Sequence, residues 1–391
     1  MNNSNIAKIN YPSEFDDIRP FSDEEMAEVT EKLLADKSFE SIINAVFPEI
    51  GWENFKVLFR SFKTPYELQS NFIMDKVFTF TGSSSTGVSS DGFYNVAKDG
   101  TYTYISNHRD IVLDALLLNA MLVKQGFMTT EVAIGDNLLI YPWIENIVRM
   151  NNNFIVKRGI SMHQMLENSK HLSQYIHFAI EQKKQSIWIA QREGRAKDSN
   201  DRTQESIIKM LAMGGSDNFL QNTEKLNITP VSISYEYDPC DYLKAKEFQQ
   251  KRDNPDFKKT QMDDLQNMLT GLKGFKGKIH FQIGHPINPD LQKIKTDTSR
   301  NDAAKQIASL IDNEIFRNYQ LFPVNYIAYD RLWGNGSQKN QYTKEDEKKF
   351  DEYFKEKIAK IDLPHKDIPF LTEKLLAMYA WPVRNQISIL Q

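Results

Sequence analysis

Residues 101–119, TYTYISNHRDIVLDALLLN, contain the parts of a strand–turn–helix unit in order. TYTYIS (101–106) is rich in β-branched and aromatic residues and predicts a strand. An apolar helix is predicted over residues 113–125, with Gly126 as its C-cap. The turn between a parallel strand and its helix lies at the carboxyl edge of the sheet, where α/β proteins place their chemistry. The polar turn at residues 107–110 is therefore the first candidate for a functional site.

The alternation of strands and helices continues along the chain. Further strands are predicted at 131–135, 153–157, 185–191, 228–237 and 278–284, and helices at 161–184 and 203–213. Regular alternation of this kind favours an α/β layered domain with a mostly parallel central sheet.

The regions on either side are helical in pattern. A helix is predicted to start near Ser22, because Ser22 and Glu25 have the spacing of a capping box. Residues 81–92, TGSSSTGVSSDG, are rich in Gly and Ser and predict a linker or a loop over a site. We therefore predict three regions and, within the second, a polar surface insertion at 241–277. The regions are an N-terminal helical region (1–80), an α/β domain (81–300) and a C-terminal helical extension (301–391).

Composition excludes several classes of function. The chain has 391 residues, and its net charge of −4 gives no bias toward nucleic acid. Cys240 is the only cysteine, which excludes an intramolecular disulfide and fits a reducing compartment. The histidines include no HxH or HxxxH pair, so no metal site is predicted. The N-terminus lacks an apolar signal region and the apolar runs are too short for a bilayer, so we expect a soluble cytoplasmic chain that can still bind a membrane surface.

The letters HRD at residues 108–110 also occur in the catalytic loop of protein kinases. A kinase requires an Asn five residues after the Asp, but that position is Ala115. It also requires a DFG motif, which occurs nowhere in the chain. These two differences exclude the kinase interpretation.

His108 is suited to act as a general base. An imidazole titrates near neutral pH, and a carboxylate behind it fixes its tautomer and stabilises the imidazolium. The chain has no G-x-S-x-G nucleophile elbow. His108 is therefore expected to activate a hydroxyl of the substrate itself.

Four blocks of sequence, in order, resemble those of the glycerolipid acyltransferases, the family of glycerol-3-phosphate and 1-acylglycerol-3-phosphate acyltransferases. NHRDIVLDALLL (107–118) resembles its His-and-Asp block, and NFIVKR (153–158) resembles its Phe-Ile-x-Arg block. AQREGRAKD (190–198) resembles its Glu-Gly block, and ITPVSISYE (228–236) resembles its Pro-containing strand. The resemblance covers residues 102–287. It implies that the α/β domain is an acyltransferase domain.

The spacing of the His-and-Asp block departs from the family pattern. The family separates the two residues by four positions, whereas five separate His108 from Asp114. Asp110 is a second candidate, although an Asp there is also typical of a helix N-cap. Neither offset shares a helical face with His108, because one turn takes 3.6 residues, so the pair requires a corner between loop and helix. We predict Asp114 as the partner, with one residue inserted in the turn.

The resemblance also implies which residues bind substrate. Lys157 and Arg158 end a strand and are expected to bind the acceptor's phosphate, since phosphate favours a bidentate guanidinium with an ammonium nearby. Asn107 is predicted either to donate to an oxyanion or to hold the turn. In the third block, Arg192 and Arg195 are predicted to bind either the acceptor's phosphate or the phosphates of the donor, and Glu193 and Gly194 are predicted to shape the acceptor site. The family usually has one more residue between this Gly and the following Arg.

The implied function is O-acyl transfer in phospholipid biosynthesis, from an acyl-CoA or acyl-carrier-protein thioester to a hydroxyl of glycerol-3-phosphate or 1-acylglycerol-3-phosphate. His108 is the expected catalytic base, oriented by Asp114, with no metal or other cofactor. The resemblance implies a cytoplasmic enzyme, peripheral on the inner face of the membrane. An acylated amino acid as acceptor stays open. The alternative is a non-catalytic peripheral lipid-binding protein with the same fold, which the shifted aspartate favours.

Overall fold

The computed structural model describes residues 11–158 and 161–390, and at its centre lies a seven-stranded sheet. The strands are β1 (Gly87–Asp91), β2 (Thr103–Ser106), β3 (Glu131–Gly135), β4 (Asn153–Val156), β5 (Ile187–Ala190), β6 (Ile228–Tyr235) and β7 (Lys278–Ile283). Their spatial order is β1-β7-β6-β2-β5-β3-β4. Neighbouring strands are parallel except β6 and β7, which are antiparallel. The expected α/β class with a mostly parallel sheet is confirmed.

Helices cover the sheet and form the two terminal regions. Before the sheet lie α1 (Met26–Leu34), α2 (Lys37–Val46), α3 (Trp52–Ser61), α4 (Pro65–Leu68) and α5 (Met74–Ser84). Between strands or just after them lie α6 (Leu113–Lys124), α7 (Pro142–Met150), α8 (Met162–His177), α9 (Glu205–Leu211), α10 (Phe219–Lys225), α11 (Asp241–Asp253), α12 (Gln261–Lys273) and α13 (Asn288–Leu291). The last four are α14 (Arg300–Arg317), α15 (Pro323–Tyr329), α16 (Lys344–Lys360) and α17 (Ile368–Leu390).

An apolar cluster on each face holds the helices to the sheet. Successive side chains of a strand point to opposite faces, and Tyr104 and Ile105 of β2 accordingly join different clusters. The cluster around Tyr104 includes α6, whereas the cluster around Ile105 includes α8, α9 and α14. The division of the chain into three regions at residues 80 and 300 stays a prediction. The boundary at residue 300 would place α14 outside the α/β domain, although α14 packs on the sheet.

Residues 81–92 are not the predicted linker or loop. Helix α5 extends to Ser84, and residues 87–91 form β1, which pairs in parallel with β7. Because strand pairing uses backbone groups, small polar side chains do not prevent it at the edge of a sheet. Val88, the one large apolar residue of β1, packs against the core.

The interpretation of residues 241–277 as a surface insertion is wrong for its first half. Helix α11 packs against α16 and α17, and its Ala245 joins their apolar cluster. Asp241 is fully buried and accepts hydrogen bonds from the hydroxyls of Tyr353 and Tyr379, at 2.6 and 2.7 Å. The polar sequence of α11 misled because its buried polar groups have partners. Those of Asp241 lie on the C-terminal helices, whereas Lys244 pairs with Asp238 and Glu247 with Lys197.

Residues 11–158 and 161–390 include no helix that combines the length and the apolar character needed to cross a bilayer.

Candidate active site

All four sequence blocks reach one edge of the sheet, because β6, which carries the fourth block, is also parallel to β2. Strands β2, β5, β3 and β4 are adjacent and parallel, so the segments that follow them leave from the same carboxyl edge. His108 follows β2, Arg158 follows β4, and Glu193 follows β5. The sheet topology therefore gathers these side chains although they are far apart in the sequence.

His108 and Asp114 form a hydrogen-bonded pair. The Nδ1 atom of His108 lies 2.8 Å from Oδ2 of Asp114. The same carboxylate oxygen accepts the backbone N–H groups of Arg109 at 2.6 Å and Asp110 at 3.0 Å. Asp114 is fully buried in the first turn of α6. The turn thus folds back over the start of the helix, and this corner accommodates the longer spacing.

Asp110 occupies the start of α6 instead of facing His108. Its Oδ1 atom accepts the backbone N–H groups of Val112 at 2.9 Å and Leu113 at 2.8 Å. These are contacts of the N-cap type, which satisfy amides that have no partner within the helix. Burial, followed by the charge of Asp114, raises the pKa of Asp110. Of the two aspartates, Asp114 is the one that contacts the histidine.

The other nitrogen of His108 is available to a substrate. The His108 side chain is 14% exposed. Across residues 11–158 and 161–390, nothing forms a hydrogen bond with its Nε2 atom. The ring of Trp188, on β5, lies edge-on to the imidazole at 5.6 Å between ring centres. An imidazole held at Nδ1 and free at Nε2 has the geometry of a general base.

The side chain of Asn107 is hydrogen-bonded to the backbone of β6. Its side-chain amide donates to the carbonyl of Ile233 at 2.8 Å and accepts the N–H of the same residue at 2.8 Å. The side chain is fully buried. This position favours turn-holding over donation to an oxyanion, because both ends of the amide already have backbone partners on β6.

The second and third blocks meet through an exposed ion pair. Nη1 of Arg158 lies 2.9 Å from Oε1 of Glu193, and the two side chains are 49% and 64% exposed. Lys157 points elsewhere, since its ammonium pairs with Asp17 at 2.5 Å. The backbone N–H of Arg158 donates to Asp136 at 3.1 Å. Both cations of this block are exposed, and Arg158 is the one that contacts the third block.

The remaining residues of the third block have different surroundings. Gly194 is exposed with a φ of +66°, a conformation that favours glycine. Arg192 is partly buried, and its Nε atom has no hydrogen-bond partner within the described ranges. Arg195 donates to the side chain of Asn267 on α12 at 3.2 Å. Burial lowers the pKa of Arg195, but the nearby Cys240, followed by Asp238 and Asp110, raises it overall. Arg195 thus contacts α12.

Sequence reasoning missed two features of this site. Trp188 lies in a strand that was predicted, but nothing in its sequence context indicated contact with His108. Asp201 lies in the loop after the third block, fully buried, and forms an ion pair with Arg109 at 2.6 Å. A single aspartate in a polar loop gives no periodicity or motif by which it could have been identified.

The described part of the chain contains no group of three or more His, Cys, Asp or Glu side chains arranged to hold a metal ion.

Comparison with known proteins identifies the domain that carries this site. Residues 88–234 match the acyltransferase family model, a range that includes His108, Asp114, Arg158 and Glu193. No curated protein matches the chain. Among solved structures, the chain is similar to the 1-acyl-sn-glycerophosphate (LPA) acyltransferase PlsC from Thermotoga maritima, with 13% identity and a TM-score of 0.37, over 76% of this chain and 99% of that one. Residues 88–234 therefore match an acyltransferase domain, and the chain is an acyl-transferring enzyme.

Proposed function

We propose that this enzyme transfers a fatty acyl group from a thioester to a hydroxyl of glycerol-3-phosphate or 1-acylglycerol-3-phosphate, with His108 as the general base. The observation that carries the proposal is the pairing of His108 with the buried Asp114, 2.8 Å apart, at the carboxyl edge of the sheet. Arg158, an exposed cation, follows a parallel strand of the same sheet and leaves from the same edge.

The chemistry requires one base that also acts as an acid. Nε2 of His108 takes the proton of the acceptor hydroxyl as its oxygen attacks the thioester carbonyl. Asp114 holds Nδ1 and stabilises the imidazolium that forms. When the carbon–sulfur bond breaks, the imidazolium returns its proton to the departing thiolate. The base is then regenerated, and no electron acceptor or metal takes part.

Arg158 is the proposed binding group for the acceptor's phosphate. A guanidinium pairs with a phosphate through two parallel hydrogen bonds, and Arg158 is half exposed. Its present partner, Glu193, is also exposed, so a phosphate dianion can displace or share that contact. Lys157 can contribute a second charge only if the phosphate competes with Asp17.

The donor, the compartment and the membrane contact are part of the same proposal. The donor is an acyl-CoA or an acyl-carrier-protein thioester, and no other cofactor is used. A lipid product favours a cytoplasmic enzyme that works at the inner face of the membrane as a peripheral protein.

The test is thiol release by the purified protein, with product identification by mass spectrometry. Each donor is combined with glycerol-3-phosphate, 1-acylglycerol-3-phosphate or an acylated amino acid, and each donor is also incubated alone to measure hydrolysis. We expect acceptor-dependent thiol release and an ester product with one of the phosphate acceptors. If no pair releases thiol while the protein floats with phospholipid vesicles, the lipid-binding alternative replaces this proposal.

A further inference from the structure

A buried carboxylate lies behind the turn that carries His108. Oδ2 of Asp201 accepts a hydrogen bond from Nη2 of Arg109 at 2.6 Å and another from the hydroxyl of Tyr319 at 2.8 Å. The side-chain amide of Asn107 lies at 3.4 Å from the same oxygen. Asp201 is fully buried, and Arg109 and Tyr319 are 8% and 6% exposed. One oxygen atom thus connects the turn, the loop after β5 and the segment after α14.

These contacts hold the residues on both sides of His108. Asn107 precedes the histidine and is bonded to β6, while Arg109 follows it. The backbone N–H of Arg109 also donates to Asp114, the partner of the imidazole. A displacement of Arg109 would therefore shift Asp114 and change its hydrogen bond with His108.

Asp201 also balances a buried positive charge. Burial lowers the pKa of Arg109, but the charge of Asp201, followed by smaller effects that include Asp114, raises it overall, so the guanidinium stays charged. Burial raises the pKa of Asp201, against the opposing effects of Arg109 and Tyr319. The geometry favours the ionised carboxylate, because Oδ2 accepts hydrogen bonds from Arg109 and Tyr319 and forms an ion pair with the guanidinium.

We infer that Asp201, held by Tyr319, is a positioning residue for the His108–Asp114 pair. Asp201 acts through Arg109, whose charge it neutralises. The inference rests on the proposed function in so far as His108 is the base. It also means that the segment after α14 contributes to the active site, although it lies outside the matched range of residues 88–234.

Other charged or titratable groups face this cluster and stay unchanged in the test. The acidic ones are Asp110, Asp114, Asp198, Asp238 and Asp312. The others are Lys244, on α11, and Tyr235, on β6.

The decisive variants are Asp201→Asn and the double variant Arg109→Gln with Asp201→Asn. In Asp201→Asn, Arg109 keeps its charge without its ion-pair partner and disfavours the imidazolium of His108. We expect kcat to fall roughly tenfold or more with a smaller change in acceptor KM, since positioning affects the transition state more than binding. The acid limb of the rate profile should move to lower pH by about half a unit or more. In the double variant both charges are absent, and the limb should return toward its wild-type position.

Thr203→Val is the matched control. Thr203 holds the same loop through a 2.6 Å hydrogen bond to Asp312, so the substitution is compared with its parent in an Asp312→Asn background, where the loss of that bond changes no charge near the pair. If it moves the acid limb as Asp201→Asn does, loop rigidity explains the effect and the inference fails. If Asp201→Asn does not fold, Tyr319→Phe removes one donor and keeps both charges. Tyr319→Phe should lower kcat several-fold without changing the acceptor KM or the position of the acid limb of the rate profile. A raised acceptor KM with an unchanged kcat would overturn the inference.

An NMR titration of the His108 imidazole separates this inference from the proposed function. We expect its midpoint to fall in Asp201→Asn and to recover in the double variant, whether or not the protein turns over a given acceptor. An absence of thiol release by the wild-type protein contradicts the proposed function alone. An unmoved midpoint in folded Asp201→Asn contradicts the positioning role alone.

Discussion

Arg158, at the end of the second sequence block, forms an ion pair with Glu193 of the third block at 2.9 Å between Nη1 and Oε1. Both side chains are about half exposed or more, so the pair itself contributes little to stability. Under the proposed function, the position of the pair matters more, because an acceptor phosphate at the carboxyl edge of the sheet would contact the guanidinium of Arg158 there.

The first prediction concerns this guanidinium. Arg158→Ala should raise the acceptor KM about 10-fold or more and the donor KM much less, because a charge-assisted phosphate contact contributes roughly 1.5–3 kcal/mol. Steady-state kinetics with each substrate varied in turn provide the measurement. Arg60→Ala is the control, since Arg60 is similarly exposed in an ion pair with Glu31 on the N-terminal helices and should leave both constants unchanged. A rise in the donor KM alone would assign Arg158 to the donor site.

The second prediction concerns the base. His108→Ala should lower the rate of acyl transfer by about 10²–10⁴-fold, the usual effect of losing a general base. The melting temperature should change little, because the imidazole has one hydrogen bond and lies in a turn. His365→Ala, at an exposed histidine before α17, serves as the control. Retention of more than about a tenth of the wild-type rate would exclude the general-base role.

The third prediction separates the two aspartates. Asp114→Asn should lose activity almost as fully as His108→Ala, and the double variant should be little worse, because residues that act as a unit are not additive. Asp110→Asn should keep most of the activity, since Asp110 caps α6 and Asn caps nearly as well as Asp. Thiol-release rates of the four proteins test this order. An inactive Asp110→Asn beside an active Asp114→Asn would reverse the assignment.

The fourth prediction concerns the pH dependence of stability. Asp312 on α14 is buried, and burial raises the pKa of its carboxyl to about 6, although it accepts the N–H and hydroxyl of Thr203. In unfolded chains an Asp titrates near about 3.9, so the folded state binds more protons between these values. The contribution of Asp312 to the free energy of unfolding should therefore fall as the pH rises from about 4 to 6, by up to about 3 kcal/mol.

The corresponding variant is Asp312→Asn, which cannot titrate. Urea unfolding at several pH values should show the variant gaining stability relative to the wild type as the pH increases through this window. The curve of Asp290→Asn, at an aspartate of α13 whose side chain is about half exposed, should run parallel to that of the wild type. Parallel curves for Asp312→Asn would show that its carboxyl titrates normally in the folded protein.

Local patterns in the sequence predicted most strands of the sheet and the order of the site's blocks. Alternation of β-rich and helical segments indicates parallel pairing, since parallel neighbours need a crossover connection. The failures at β1 and α11 have a common cause. Both segments are polar, and both are ordered by partners distant in the sequence: the backbone of β7 for one, the hydroxyls of Tyr353 and Tyr379 for the other.

The sequence by itself determined the chemistry available to this protein: a histidine in a turn after a strand, an aspartate at the start of the next helix, and an arginine after a later strand. Only the tertiary structure decided which groups meet. The corner at residues 107–113 directs Asp114 rather than Asp110 to His108, and the sheet order brings Arg158 to Glu193. It also buries Asp201 between Arg109 and Tyr319. These contacts form because segments that are distant in the sequence fold onto one edge of the sheet. The spacing of residues along the chain does not predict which of those segments become neighbours.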